Sequence, residues 1–524
     1  MFTALSDWIR LAGAGFRLTR HDALVPSEYA AEFPPALRGF GSLTRLGARR
    51  KKDGRDLRPG ERMATAFETM SPPYVKLGQV MATRPDVIGF EMANDLGRLQ
   101  DRMPPFSQKD AIAEIERTFR KPVTELFDNF SEPVAAASVA QVHRATTKDG
   151  RDVAVKILRP GIEQRATREF RAFMRAAKTA EGMSKTARRL EPVKFIDTLR
   201  ESAAIELDLR MEAGAASAMK DVFADNTFVR IPEIIWGLSS RRVLTQEWID
   251  ATPISDLTTL DANGVDRKKL AQEVMRIFLK QALQFGFFHA DMHQGNMMID
   301  GNGRLVLIDF GIMGRLDEQA RRTFAEIIHG FIMRDYTRTA KAHFDAGYIE
   351  PHHSVDAFAQ ALRAVGEPLH GQNADQVDMS RVLQQLFDVT DLFDMHLRPE
   401  LVLLQRTMVT VEGVARALDP AVNMWEAATP VVRDYITDAI GPKHQLERFR
   451  EAAIKAVEIA PRLPEYAELL SEAAARVSDD RLGLSHQTTE DLAKALSREG
   501  RLTRAALWFA GLGTLVLAAV TFFR

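Results

Sequence analysis

The amino-acid sequence predicts an α+β chain in which long helical stretches enclose one small sheet, and three observations carry that expectation. The run VAAASVAQVHRATTKDGRDVAVKIL, 134 to 158, reads as strands, two of them joined across a Lys-Asp-Gly turn. The residues before and after it read largely as helix. A length of 524 residues exceeds one ordinary core, so two or more structural units are expected.

The elements follow in order. Residues 1–130 form a helical N-terminal extension, broken at Pro34-Pro35, Pro72-Pro73 and Pro104-Pro105, where the rings forbid continuation. Its start, MFTALSDWIRLAGAGFRLTR, lacks a basic leader before a continuous apolar core and reads as a short amphipathic helix rather than a secretory signal. The basic segment 48–62 reads as a turn-rich linker, either a solvated loop or a contact for anionic lipid. A sheet-bearing part spans 131–248: a hairpin followed by a third strand, a charged helix to about 190, a helix carrying ESAAIELDLRMEA over 201–213, and two strands, FVRIPEII and RRVLTQEWI, that close the small sheet. Residues 249–500 read as a helical large lobe with the catalytic and metal-binding loops, largely helical beyond Asp266 except around 289–311, with no repeat of fixed period.

The last segment, AALWFAGLGTLVLAAVTFF over 505–523, has 19 residues without a charge. At about 1.5 Å per residue it spans roughly 28 Å, enough to cross a bilayer core. Arg501 and Arg504 precede it and only Arg524 follows, so the charge bias places the body of the chain on the cytoplasmic side. A buried terminal helix is the alternative. With 70 basic against 71 acidic residues, net charge gives no reason to expect a nucleic-acid partner. The absence of cysteine excludes disulfides, thiolate metal sites and a cysteine nucleophile.

The stretch HADMHQGNMMIDGNGRLVLIDFG, 289 to 311, carries the chemistry. Asp291 is followed five positions later by Asn296, and Asn296 thirteen positions later by Asp309 in an Asp-Phe-Gly triplet, which is kinase spacing. Phosphoryl transfer needs a carboxylate to orient or deprotonate the acceptor, the role of Asp291, and oxygen ligands to hold Mg²⁺ against the phosphates of ATP, the role of Asn296 and Asp309. MMID and LVLID flank a Gly301-Asn302-Gly303 turn, so a tight hairpin would bring Asn296 and Asp309 together at one end. Upstream, Lys156 of VAVK supplies a cation for the α- and β-phosphates, and Glu212 is a helical partner for it, in competition with Glu206 and Asp208.

These motifs resemble the UbiB-type atypical kinases of ubiquinone biosynthesis, from about 70 to 320. PPYVKLGQVMATRPD resembles that family's Lys-x-Gly-Gln signature at Lys76 and Gln79, ELD its Glu-x-Asp at Glu206 and Asp208, and AAASVAQV its alanine-rich nucleotide loop. The resemblance implies a two-lobed protein-kinase-like fold, ATP and Mg²⁺ as ligands, and favours Glu212 as the partner of Lys156. It also implies that the Lys76 helix lies over the active site near Glu206 and Asp208, where a protein substrate would otherwise approach. Expected partners are membrane lipid, isoprenoid quinone precursors and other ubiquinone-biosynthesis proteins, at a bacterial inner membrane.

Ordinary kinases place glycines at G-x-G-x-x-G-x-V so that backbone amides approach the phosphates, whereas here Ala135, Ala137, Ala140 and Val142 fill that spacing, with Ala136, Ser138 and Val139 between them. Each methyl group excludes the left-handed conformations that glycine tolerates. Thr245-Gln246-Glu247-Trp248 reads as the hinge whose backbone meets adenine, with Glu247 and Trp248 lining the pocket, an edge-strand terminus being the plain alternative. His289 and His293 read as braces of the catalytic loop, His352-His353 as a surface pair with no third ligand nearby in sequence, and Met297 and Met298 as packing. Three functions are open: an ATPase or atypical kinase supporting ubiquinone biosynthesis, a small-molecule or lipid-precursor kinase, and a nucleotide-binding membrane scaffold.

Overall fold

The structure, a computed structural model, describes residues 2–23, 57–82, most of 88–99, 104–183, 191–369, 392–395 and 398–440, with a few single positions between. The chain divides into Met1–Thr437 and Asp438–Arg524, and all but the last three described positions lie in the first.

The first sheet is antiparallel, in the order β1 (Phe127–Ala136), β2 (Ala140–Thr147), β3 (Asp152–Leu158) and β5 (Val243–Glu247). The β2–β3 hairpin closes over the expected turn, where Gly150 takes φ +82°. Strand alternation sets the two faces of β3. Val153, Val155 and Ile157 point into a core shared with Ala111 and Ile115 of the Gln108–Phe119 helix, each worth about 1.5–3 kcal/mol of burial. Lys156, between them in sequence, therefore faces the other way. The helix that covers this core starts on Ser107, whose hydroxyl accepts the Asp110 amide at 3.1 Å, and stops where Arg120 turns left-handed.

The second sheet runs β4 (Val229–Arg230), β9 (Leu305–Leu307), β8 (Met297–Asp300) and β6 (Ala251–Pro253), and β7 (Phe287–His289) pairs separately with β10 (Met313–Arg315). The Arg267–Lys280 helix leads into β7 through one wider turn, Gln281–Phe285, and ends on Gly286 at φ +62°. A Cβ there would lie 2.7 Å from the Leu316 carbonyl oxygen, so the sharp exit needs glycine.

Five sequence expectations change. The extra strand beside the hairpin is β1, which precedes it and pairs with β2, while β3 is followed by the Ile162–Met183 helix rather than by a third strand. Only RRVLTQEWI closes the small sheet; FVRIPEII places Val229–Arg230 in parallel pairing with β9 and touches the small sheet through a single Ile234–Gln246 bridge. Residues 201–213 are not one helix: Pro192–Glu206 ends, and Leu209–Val222 restarts after Asp208, whose extended backbone and side chain cap the new helix by accepting the Arg210 amide. The N-terminal extension is helical only to Leu126, because β1 begins at Phe127. Within the basic 48–62 segment, Pro59 already opens the Pro59–Glu68 helix.

The N-terminal helix, Phe2–Arg20, is present and leaves Leu5, Trp8, Ile9 and Phe16 exposed. Its buried Asp7 is held by Arg171 and Arg175 of the Ile162–Met183 helix. No helix among the described residues is long and apolar enough to cross a membrane; the apolar 505–523 segment lies outside them.

Candidate active site

The sequence placed Lys156 on a strand, Glu212 on a helix and Asp309 after a hairpin, and the fold brings the three together. Lys156 Nζ donates to Glu212 Oε1 at 2.8 Å and Oε2 at 2.9 Å, and to Asp309 Oδ2 at 3.0 Å. Glu212 is buried in the first turn of the Leu209–Val222 helix, a turn positioned by the Asp208 cap. Burial pushes its carboxyl up to about 7 even against the Lys156 ammonium. Burial also works against the charge on Lys156, but the Asp309 and Glu212 carboxylates reverse this and raise its pKa above the ordinary lysine value. For Asp309, burial acts upward and is outweighed by Lys156, so the carboxyl stays below the usual range.

The competition for Lys156 is thereby resolved. Glu206 pairs instead with Lys76 at 2.5 Å, and Asp208 binds Arg210 at 2.6 Å. Lys76, Glu206 and Val139 of the alanine loop line one small cavity, so the Lys76 helix (Pro72–Met81) lies near Glu206, as the resemblance implied, and beside the alanine loop. The glycine of Lys-Leu-Gly-Gln has a packing reason. A Cβ on Gly78 would come 2.3 Å from Leu99 Cδ1 and 2.7 Å from Phe67 Cδ2. Gln79 lies one position further along the same helix.

The hairpin works as its sequence suggested. Met297 pairs with Leu307, and the Ile308 amide donates to the Asn296 carbonyl at 3.1 Å, which sets Asn296 beside the residue that precedes Asp309. Buried Asp300 stabilises the turn by accepting the Asn302 and Arg304 amides, each at 2.9 Å. Asp309 takes φ +61°, a left-handed conformation that costs a non-glycine residue on the order of 1 kcal/mol. That turn aims Oδ1 at the Gly311 amide and Oδ2 at Lys156.

Asn296 Nδ2 donates to the Asp291 carbonyl at 3.0 Å and approaches its Oδ2 at 3.4 Å. With Nδ2 committed, the Asn296 Oδ1 is the oxygen left to act as a ligand. Asn296 Oδ1 and the Asp309 carboxylate form an all-oxygen donor pair suited to Mg²⁺. His289 is buried, and its Nδ1 accepts the Asp291 amide at 3.1 Å while Nε2 faces the Ile308 carbonyl at 3.3 Å. Both ring nitrogens are thus used by the backbone, and burial lowers its pKa, which makes it a neutral brace. His293 Nδ1 accepts the Gly295 amide, and its Nε2 lies 3.6 Å from Asp291 Oδ2. Met297 is buried core, as expected.

The alanine loop is a tight turn closed by the Ala137 amide on the Ala140 carbonyl at 2.8 Å. Ala135 pairs with Val142 and Ala136 with Gln141. No residue from Ala135 to Val142 has a positive φ, as the methyl groups require. Ser138 and Ala140 are buried rather than presented to the cleft. The hinge expectation needs revision: the Glu247 amide donates to the Glu233 carbonyl at 2.8 Å and the Trp248 amide to Asp152 at 3.0 Å. Both amides serve the sheet, the Glu247 carboxylate binds Arg230 at 2.5 Å, and the Trp248 ring lies under Arg144. Neither of these two amides is left over for a ligand.

Sequence reasoning missed several supports. Thr407, on the Pro399–Leu418 helix, shares its hydroxyl proton between the Leu403 carbonyl of its own helix at 2.8 Å and the Ala290 carbonyl, one residue before Asp291, at 3.1 Å. Neighbouring Arg406 has its pKa lowered by burial, with the Asp291 carboxylate acting in the opposite direction. Arg159 clasps the alanine loop through the Ala137 carbonyl, and Gln281 accepts the buried His289 amide at 2.8 Å. None of these carries a local signal; Thr407 acts 117 positions from its partner.

Comparison with known proteins places this geometry. Residues 98–343 match the ABC1 atypical kinase-like domain and residues 362–423 the UbiB helical domain. The chain is also similar to a Mycobacterium tuberculosis protein, Rv3197, solved in complex with erythromycin: 25% identity over 66% of this chain and 88% of that one, with a TM-score of 0.47. The two domain matches run through the alanine loop, the catalytic stretch and the helix that supports it, on a kinase-like fold of mixed helices and sheets. The chain belongs to the UbiB-type atypical kinase family.

Proposed function

We propose that the chain binds Mg²⁺-ATP between the small sheet and the catalytic stretch, and that it is an ATPase or atypical kinase supporting ubiquinone biosynthesis at a membrane. The observation that carries this reading is the trio in which Lys156 is held by Glu212 and Asp309 together. A lysine so restrained offers a fixed cation to the α- and β-phosphates. Asn296 and Asp309 hold Mg²⁺, which neutralises charge developing on the phosphates. Asp291, fixed through Asn296, His289 and Thr407, orients the acceptor and takes its proton.

The Lys76–Glu206 ion pair lines a cavity with Val139 of the alanine loop, and with the Lys76 helix covering the site, as the family resemblance has it, a small acceptor or water is favoured over a protein chain. The apolar 505–523 segment serves as the anchor, with the catalytic body on the cytoplasmic face of a bacterial inner membrane. Phosphate release and labelled-phosphate transfer, measured with and without isoprenoid phenols and anionic liposomes, test the reading. Asp291→Asn should lower turnover by at least about a hundredfold with Mg²⁺-ATP affinity nearly unchanged, and Asp309→Asn should remove Mg²⁺-dependent binding. Undiminished turnover in a folded Asp291→Asn protein would sink the catalytic assignment. Transfer to a phenol would point to a lipid-precursor kinase, and binding without turnover to a scaffold.

A further inference from the structure

The pair His352-His353 has no third ligand near it in sequence, but the fold supplies one. Asp394, about forty residues on, places its carboxylate so that one ligand atom from each of the three residues lies within 4.8 Å of the others. We infer that His352, His353 and Asp394 form a binding site for one divalent transition-metal ion.

The central observation is the Nε2 of His353. It is shielded from solvent and has no hydrogen-bond partner among the described residues, a costly state for a buried ring nitrogen. It lies 3.6 Å from Asp394 Oδ2, too far for a hydrogen bond. Two ligands of one ion at about 2.0–2.1 Å each, subtending roughly 120°, would be separated by that distance. The rest of the geometry holds the pair in place. Asp394 is a non-glycine residue at φ +45°, and adjacent Phe393 is buried against Phe358, with ring centroids 5.0 Å apart. The His353 ring packs on Phe393 at 5.4 Å. The His352 ring lies 4.0 Å from that of His353 and is exposed, so it rotates onto an ion without disturbing the core.

Two imidazoles and one carboxylate select the zinc, cobalt, nickel and copper class over magnesium or calcium, which prefer all-oxygen sites. The chain has no cysteine to compete for such an ion. Three protein ligands leave the remaining positions to water. The ion would tie the loop before the Val355–Gly366 helix to the segment entering the Pro399–Leu418 helix, whose Thr407 holds the Ala290 carbonyl.

The test uses the full-length chain purified without a polyhistidine tag and stripped with a chelator. Co²⁺ and Zn²⁺ are titrated by calorimetry in millimolar Mg²⁺, and Co²⁺ also by its d–d absorption. The expected result is one ion per chain, bound at least tenfold more weakly by His353→Ala and by Asp394→Ala, with Asp309→Asn binding as the parent does. If His353→Ala does not fold, His352→Ala carries the same expectation, because its ring is exposed. No binding by the parent, equal binding by the ligand variants, or loss in Asp309→Asn alone would overturn the site; the last outcome would assign the ion to the phosphate centre.

Discussion

Glu212→Gln converts the lysine trio into a measurable pH effect. With its carboxyl pushed up to about 7, Glu212 passes from about 10% ionised at pH 6 to about 90% at pH 8. Only the ionised form gives Lys156 its charged helix partner at 2.8 Å and leaves Asp309 free of sole responsibility for that ammonium. If the phosphate site requires the ion pair, Mg²⁺-nucleotide affinity should tighten by up to about ninefold between pH 6 and pH 8, the ratio of those fractions. Stability should run the other way. The folded pKa lies above the 4.5 of an ordinary glutamate, so this group's contribution is present below about pH 4.5 and is lost as pH rises toward 7. The gap of about 2.5 pH units corresponds to on the order of 3 kcal/mol; the raised pKa of Lys156 adds no pH dependence here, because its contribution is constant below the ordinary lysine value. Fluorescent ADP and ATP titrations in saturating Mg²⁺ at pH 6, 7 and 8, with chemical denaturation at the same values, read both effects. Glutamine keeps the volume and one acceptor and removes the titration, so the variant also controls for protonation of the nucleotide. Equal pH slopes in parent and variant would refute the reasoning.

Three further outcomes are expected. Gly78→Ala should cost about 1–3 kcal/mol, seen as a lower thermal midpoint, because its methyl group would overlap Leu99 and Phe67; an unchanged midpoint would remove the packing explanation for that glycine. Ala137→Gly should alter the ATP-to-ADP affinity ratio at least about threefold by loosening the turn held by Ala140 and Arg159, and unchanged dissociation constants would leave the alanines without an effect on nucleotide choice. Deleting 505–524 removes no proposed nucleotide ligand, so Mg²⁺-ATP binding should persist while the protein leaves the membrane fraction and ubiquinone output falls; a truncated protein that still pellets after a high-salt wash would place the anchor elsewhere.

The sequence by itself determined the parts whose physics is local. The turn at 148–150, the hairpin around Gly301-Asn302-Gly303 and the spacing of Asp291, Asn296 and Asp309 act over short stretches, and the structure places them as read. Partner choice was not local. Three carboxylates, Glu206, Asp208 and Glu212, lay close enough in sequence to compete for Lys156; the family resemblance favoured Glu212, but the physical reason, a helix break at Leu207-Asp208, is one that composition does not reveal. The same limit hid Thr407 behind Ala290, gave FVRIPEII to the wrong sheet and left His353 without Asp394. A hydroxyl, a strand edge or a ring nitrogen carries no record of what will face it. Those pairings follow from how helices and sheets pack across long sequence separations, and only the tertiary structure decided them.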